Sequence, residues 1–158
     1  MSRQASPLAT HANLGSLLSP AASATTVGGI SWRQKPGLDK EGLVQVRIAI
    51  KHLAPCVLRM TVHPLRPSEP FLQYLVGAGR DGFSARRLCV NHTHRPIEGT
   101  HKHRTEPAIG DEVAYKPTDI PEVPLAPRVA PGVHRAIFEA FAAECFVELG
   151  TDFTWVEP

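Results

Sequence analysis

The chain has 158 residues, of which 42% are hydrophobic and 20% charged, a composition typical of one folded domain and unlike that of disordered proteins. Its net charge of +2, from 17 basic and 15 acidic side chains, is too small to indicate nucleic-acid binding by itself. Three widely spaced cysteines without a C-x-x-C pair exclude a disulfide framework and a cysteine-only zinc site, and they favour a reducing, cytoplasmic location.

The first thirty residues are rich in serine and alanine and contain no acidic side chain. They lack the apolar core of a signal peptide and resemble a transit peptide only faintly. We therefore expect residues 1–30 to form a disordered tail and residues 31–158 to form a single domain. The chain contains no apolar run long enough to cross a bilayer, so we expect no membrane association.

Alternating apolar and polar residues predict a series of strands after this tail. The predicted strands cover residues 44–52, 56–63, 71–79, 85–94, 101–106 and 112–116. Residues 117–131 contain five prolines and predict an extended connection. Apolar residues at three- and four-residue spacing predict a helix over 133–150, and a closing strand follows. Consecutive strands with one late helix indicate the α+β class, with an antiparallel sheet of about five to seven strands packed against a C-terminal helix.

Four of the eight histidines lie between positions 92 and 103, in two H-x-H pairs. The segment RPIEGT between the pairs suits a hairpin loop because it contains Pro96 and Gly99. A symmetric register would place His92 opposite His103 and His94 opposite His101, with all four rings on one face.

The neighbouring residues predict that this face is sheltered. Leu88 and Val90 alternate in phase with the first histidine pair, whereas Lys102 and Arg104 alternate out of phase with the second. We therefore expect the histidines to face inward or into a cleft and Lys102 to point away. Cys89 would lie on the opposite face, which disfavours a Cys-His nucleophile pair.

Three kinds of chemistry fit such a cluster. His92, His94, His101 and His103 could bind a transition metal, with zinc as the first expectation, and Glu106 or Asp111 could supply a carboxylate. Without a metal, two of the histidines could act as acid and base.

In that second case His101 and His103 would be the catalytic pair and Arg95 or Arg104 would hold the phosphate. Glu106 could act as a general base in the metal-dependent case. In the third case the histidines form hydrogen bonds and perform no chemistry.

Residues 56–150 also resemble an uncharacterised family of short bacterial and prophage-encoded proteins. The pattern of that family consists of H-x-N or H-x-R, a glycine-containing loop, H-x-H with a glutamate, a G-D step, an alanine-containing strand and a C-terminal helix that ends in a cysteine. The matching residues here are His94-Arg95-Pro96, Gly99, His101-Lys102-His103, Glu106, Gly110-Asp111, Ala114 and Cys145. The aromatic residue expected before Glu106 is replaced by Thr105. The resemblance implies a mobile-element setting and a small α+β fold, without an established activity.

These observations lead to two functional hypotheses. The first is a metal-assisted or histidine-dependent hydrolase of phosphoester or nucleic-acid substrates, of the toxin or phage-defence type, with a nucleic acid or nucleotide as partner. The second is a non-catalytic binding or inhibitor module of mobile-element origin. In either case an exposed edge of the sheet could pair with a second copy to form a homodimer.

Overall fold

One mainly antiparallel sheet dominates the computed structural model, which describes residues 5–92 and 97–158. The helices and strands, in chain order, are α1 (His11–Leu17), β1 (Ala24–Gln34), β2 (Lys40–Arg47), β3 (Cys56–His63), β4 (Arg66–Val76), β5 (Phe83–Cys89), β6 (His101–Glu106), β7 (Asp111–Tyr115), α2 (Val133–Glu144) and β8 (Val147–Glu148).

Over the described residues, the sheet has eight strands in the order β7-β6-β5-β4-β3-β2-β1-β8. Strands β1 to β7 form a meander in which each strand pairs antiparallel with the next, and β8 returns after α2 to pair parallel with β1. The α+β class and the C-terminal helix are confirmed, but the sheet has more strands than the predicted five to seven. Strand β1 escaped prediction because its pairing shifts register between Val27 and Ser31, which interrupts the alternation of polar and apolar residues.

The prediction of a disordered tail over residues 1–30 is wrong for much of the segment. Helix α1 begins after Thr10, whose side chain accepts a hydrogen bond from the backbone N–H of Asn13. Leu14 and Leu17 of this helix are buried in the main core, and β1 begins at Ala24. Two leucines three positions apart are enough to anchor one short amphipathic helix, a signal that the serine- and alanine-rich composition obscures.

The C-terminal residues lie along β1 without forming the predicted closing strand. The backbone N–H of Ile30 donates to the carbonyl of Thr154 at 3.1 Å, and Trp32 Nε1 donates to the carbonyl of Val156 at 2.7 Å. The approach is so close that a Cβ on Gly29 would lie 2.1 Å from Thr154 Oγ1. Glycine at position 29 is therefore required for this contact.

The hydrophobic core lies between α2 and one side of the sheet, which we call the inner face. Side chains from β3 and β4 alternate, so that Leu58 and Leu72 are buried on the inner face while their neighbours are half-buried on the opposite, outer face. The predicted apolar stripe of α2 is confirmed at Ile137, Phe138 and Phe141, which are fully buried. Complete burial of each phenylalanine contributes on the order of 2 to 3 kcal/mol to folding.

Candidate metal centre

The pairing of β5 with β6 determines which side chains share a face. Arg87 lies opposite His103, Leu88 opposite Lys102 and Cys89 opposite His101. This pairing differs from the symmetric register predicted from the sequence by five residues along the chain. Because five is an odd number, the residues of β6 that were predicted to share a face with Leu88 lie on the opposite face of the sheet.

The observed register therefore corrects two predictions. His101 and His103 lie on the outer face together with Cys89, whereas Lys102 lies on the inner face with Leu88. β5 also ends at Cys89, and Asn91 follows with a φ of 59°. Asparagine tolerates this left-handed conformation better than most residues, so Asn91 is the local signal that the strand ends before His92.

Cys89, His101 and His103 form a compact group of potential metal ligands. One ligand atom from each residue lies within 4.8 Å of the others. The three residues are 9%, 2% and 5% exposed, and the two imidazole rings meet edge to face with centroids 4.9 Å apart. Ligand atoms around a tetrahedral zinc ion are separated by about 3.6 Å, so movements of about 1 Å would close the group around an ion. The group could thus hold a transition metal.

A hydrogen bond orients the His101 ring, and a carboxylate lies close to the His103 ring. His101 Nδ1 donates to the carbonyl of Gly99 at 2.9 Å, because a carbonyl can only accept. In the neutral ring the lone pair is then on Nε2. His103 Nδ1 lies 3.8 Å from Glu112 Oε2, and Glu112 is held by Arg87 Nη2 at 2.7 Å. A carboxylate behind an imidazole is the arrangement that orients metal-binding histidines in proteins.

The environment of Cys89 favours metal binding over direct attack by its sulfur. Burial raises the pKa of the Cys89 thiol, against the opposing effect of the Arg87 charge. The metal-free side chain is therefore a neutral thiol, which is a poor nucleophile. A metal ion held by Cys89 would displace the thiol proton. Cys89 was predicted to lie on the face opposite to the histidines, and Glu112 was not recognised in the sequence, since the positions of both depend on the register of β5, β6 and β7.

The remaining predicted ligands do not join this group within the described residues. His92 is exposed, and its Nε2 donates to the carbonyl of Glu69 at 3.0 Å. His94 and Arg95 lie outside the described residues. Over the described residues, two of the four predicted histidine ligands, His101 and His103, come together with Cys89, and His92 does not join them.

The two predicted carboxylates have local roles in the β6–β7 hairpin. Glu106, at the end of β6, accepts a hydrogen bond from the N–H of Ala108 and lies 3.8 Å from His11. Strand alternation places it on the face opposite to His101 and His103. Asp111 Oδ1 accepts from the N–H of Glu112 at 2.7 Å. Glu112, rather than Glu106, is the carboxylate beside the histidines.

A second buried polar group lies on the inner face of the same strands. Lys102 is 1% exposed, and its Nζ lies 2.8 and 2.9 Å from the two carboxylate oxygens of Asp119 and 3.6 Å from Glu144 Oε1. Glu144 Oε1 also accepts from the Tyr115 hydroxyl at 2.8 Å. Burial and the Glu144 carboxylate both raise the pKa of Tyr115, so this phenol remains protonated. Lys102 was predicted to point away from the core, but it is the buried cation of this polar group.

Comparison of the chain with protein-family models, with curated proteins and with solved structures finds no match. The resemblance to short prophage-encoded proteins therefore stays a prediction. Among the described residues, no helix combines the length and the apolar character needed to cross a membrane. The geometry of the site is consequently the basis for the functional argument.

Proposed function

We propose that Cys89, His101 and His103 bind one transition-metal ion. The observation that supports this proposal is the convergence of three buried donor atoms within 4.8 Å. Thiolate and imidazole donors bind zinc, whereas magnesium and calcium require oxygen ligands. Zinc is therefore the ion for which this set of side chains is best suited.

We further propose that the ion supports hydrolysis of a phosphoester. Catalytic zinc sites in proteins have three protein ligands and keep the fourth position for water or substrate. The metal lowers the pKa of a bound water and polarises a bound substrate. Three ligands from this chain match that number. Glu112, 3.8 Å from His103 Nδ1, is the carboxylate that would orient His103 and so fix the geometry of the ion on which hydrolysis depends. It takes the place beside the histidines that the sequence suggested for Glu106.

A second candidate function is a non-catalytic binding module in which the ion is structural. The burial of all three ligand residues favours this alternative, because a substrate needs access to the metal. An ion shared by Cys89 of β5 and the two histidines of β6 would link these two strands.

Metal content tests the common basis of both functions. Protein treated with a chelator and then dialysed against zinc is expected to retain one zinc ion per chain by elemental analysis. With cobalt in place of zinc, a thiolate-to-cobalt absorption band is expected in the near ultraviolet. Cys89→Ala should lose both signals, whereas Cys56→Ala, which removes another buried thiol, should keep them. Equal metal content in the two variants would reject the site.

Activity of the zinc-loaded protein separates the two functions. Cleavage of bis-p-nitrophenyl phosphate is expected with the wild type and should be lost in Glu112→Gln at saturating zinc. Glu122→Gln, an exposed carboxylate, is the matched control. Equal cleavage by Glu112→Gln and wild type, or no cleavage by fully zinc-loaded wild type, would reject the hydrolase and favour the structural ion.

A further inference from the structure

A row of polar side chains crosses the outer face of the sheet beside the metal centre. Arg59 of β3 lies opposite Gln73 of β4, Gln73 opposite Arg87 of β5, and Arg87 opposite His103 of β6. Directly opposed residues share a face, so all four side chains are on the outer side. At about 4.8 Å between strands, the two arginine backbones are about 10 Å apart.

Arg59, Gln73 and Arg87 of this row form the floor of a groove with a volume of about 690 Å³. Arg80 and Thr105 contribute to its walls, and Glu112 lies at the end nearest the metal centre. The volume falls within the range of about 300 to 1,000 Å³ that is usual for small-molecule sites. The groove is therefore large enough for a small ligand.

Two hydrogen-bond donors in the floor have no acceptor among the described residues. They are the buried Nε atoms of Arg59 and Arg87. The other guanidinium nitrogens are partly engaged, since Arg59 Nη2 donates to Gln73 Oε1 and Arg87 Nη2 pairs with Glu112. Buried donors without acceptors destabilise a protein, and an oxygen-rich ligand would supply the missing acceptors.

The charge around Arg59 also favours an anion. Glu41 is its nearest carboxylate, at 3.9 Å, but Glu41 is much closer to Arg33, at 2.6 Å, and also lies 3.6 Å from Lys35. One carboxylate thus faces three cations, and the positive charge of Arg59 is largely uncompensated. Arg80 adds a further positive charge at the wall of the groove.

We propose that this groove binds the phosphate group of a small ligand through Arg59 and Arg87. Phosphate carries the negative charge and the several oxygen acceptors that two guanidinium groups with unused N–H donors recognise. Gln73, between them, holds Arg59 in place through its side-chain oxygen. The proposal does not depend on a bound metal, since neither arginine belongs to the ligand group.

Titration of the chelator-treated, ¹⁵N-labelled protein with inorganic phosphate tests this site. At constant ionic strength, the Nε–H resonances of Arg59 and Arg87 are expected to shift with a saturable dependence on phosphate. Arg59→Lys and Arg87→Lys keep the charge but remove the fork of donors, and each should weaken binding about tenfold. Arg135→Lys, in an exposed pair with Glu139 on α2, should bind as the wild type does.

Three results would overturn the proposal. They are the absence of a saturable shift at either wild-type Nε–H group, unchanged affinity in both folded lysine variants, or equal affinity for acetate. If a lysine variant fails to fold by circular dichroism, the wild-type resonances and the acetate comparison decide. Because the protein is metal-free throughout, failure of zinc binding would not alter the outcome.

Discussion

The two faces of β5 and β6 bury polar side chains in different ways. On the inner face the Lys102 ammonium group lies against the carboxylates of Asp119 and Glu144. On the outer face Cys89, His101 and His103 bring together a thiol and two imidazoles, none of which carries a fixed charge. The strands are the same, but only the inner group combines a buried cation with its counterions.

This difference indicates which group is built for a ligand. A buried cation paired with carboxylates is electrostatically complete, and its role is to hold β6 against the end of α2. Buried thiol and imidazole groups are tolerated while they are neutral, and their lone pairs make them more stable around a metal cation. We therefore expect changes on the inner face to affect folding and changes on the outer face to affect metal binding.

The largest expected effect is on the inner face. Lys102→Met should reduce the free energy of unfolding by about 3 kcal/mol, because it removes the cation that pairs with Asp119 and one of the two described cations, Lys102 and Arg86, beside Glu144. Urea denaturation measures this change, and Lys116→Met provides an exposed control. Zinc affinity should stay as in the wild type. A loss of stability no larger than that of the control would contradict the structural role of Lys102.

The next effect is on the outer face. His103→Ala or Cys89→Ser should lower zinc affinity by about 100-fold, which corresponds to about 2.7 kcal/mol, because each removes one of three ligands. Competition with a fluorescent zinc chelator measures the affinity. His63→Ala, a half-buried histidine of β3, should remain within about twofold of the wild type. Similar affinities for all three variants would remove the distinction between the faces.

A smaller effect on zinc affinity is expected at Glu112, the carboxylate beside the ligand His103. Glu112→Gln should lower zinc affinity about tenfold, because an amide orients the His103 ring less strongly than a carboxylate does. The same chelator competition applies, with Glu122→Gln as the exposed control. Unchanged affinity would show that Glu112 acts only as the partner of Arg87.

The smallest expected effect is at Glu41, a carboxylate on the outer face that lies close to three cations. Burial by itself would raise the pKa of Glu41, but the hydrogen bond from Arg33 and the charges of Arg33, Arg59 and Lys35 outweigh it and lower the pKa below 4.5. A lowered pKa in the folded state contributes stability above the unfolded pKa, and that contribution is lost as the pH falls through the folded value.

Glu41→Gln should therefore reduce the free energy of unfolding by about 1 kcal/mol at pH 7. The difference from the wild type should shrink once the pH falls below 4.5. Denaturation at a series of pH values measures it. A difference that stays constant down to pH 2 would exclude the electrostatic explanation.

Most of the sheet could be predicted from residue periodicity. The run from Cys56 to His63 alternates over its whole length, and the prediction matches β3 because one face of that strand is buried and the other is not. The helical stripe of Ile137, Phe138 and Phe141 is likewise a local property. β1 could not be recognised in this way, since its shift in register and its contact with Thr154 depend on residues far along the chain.

The location of the candidate site and two of its three ligand residues could be predicted from the sequence, but the third could not. His101 and His103 were identified because they share parity on one strand. Their neighbour on β5 depends on the register between the two strands. The sequence predicted a strand that continues to His94 and brings a second histidine pair to the site, whereas β5 ends at Cys89 and contributes a cysteine. Asn91, with its positive φ, is the residue whose conformational preference could have indicated that end.

The position of the C-terminal residues against β1 has a consequence for how the protein is made. Gly28 and Trp32 donate hydrogen bonds to Asp152 and Val156, partners 124 positions later in the sequence. On the ribosome, β1 emerges long before these partners, and its edge remains able to pair with other nascent chains until synthesis is complete. Early release of a truncated chain would therefore leave an aggregation-prone strand in place of a finished sheet.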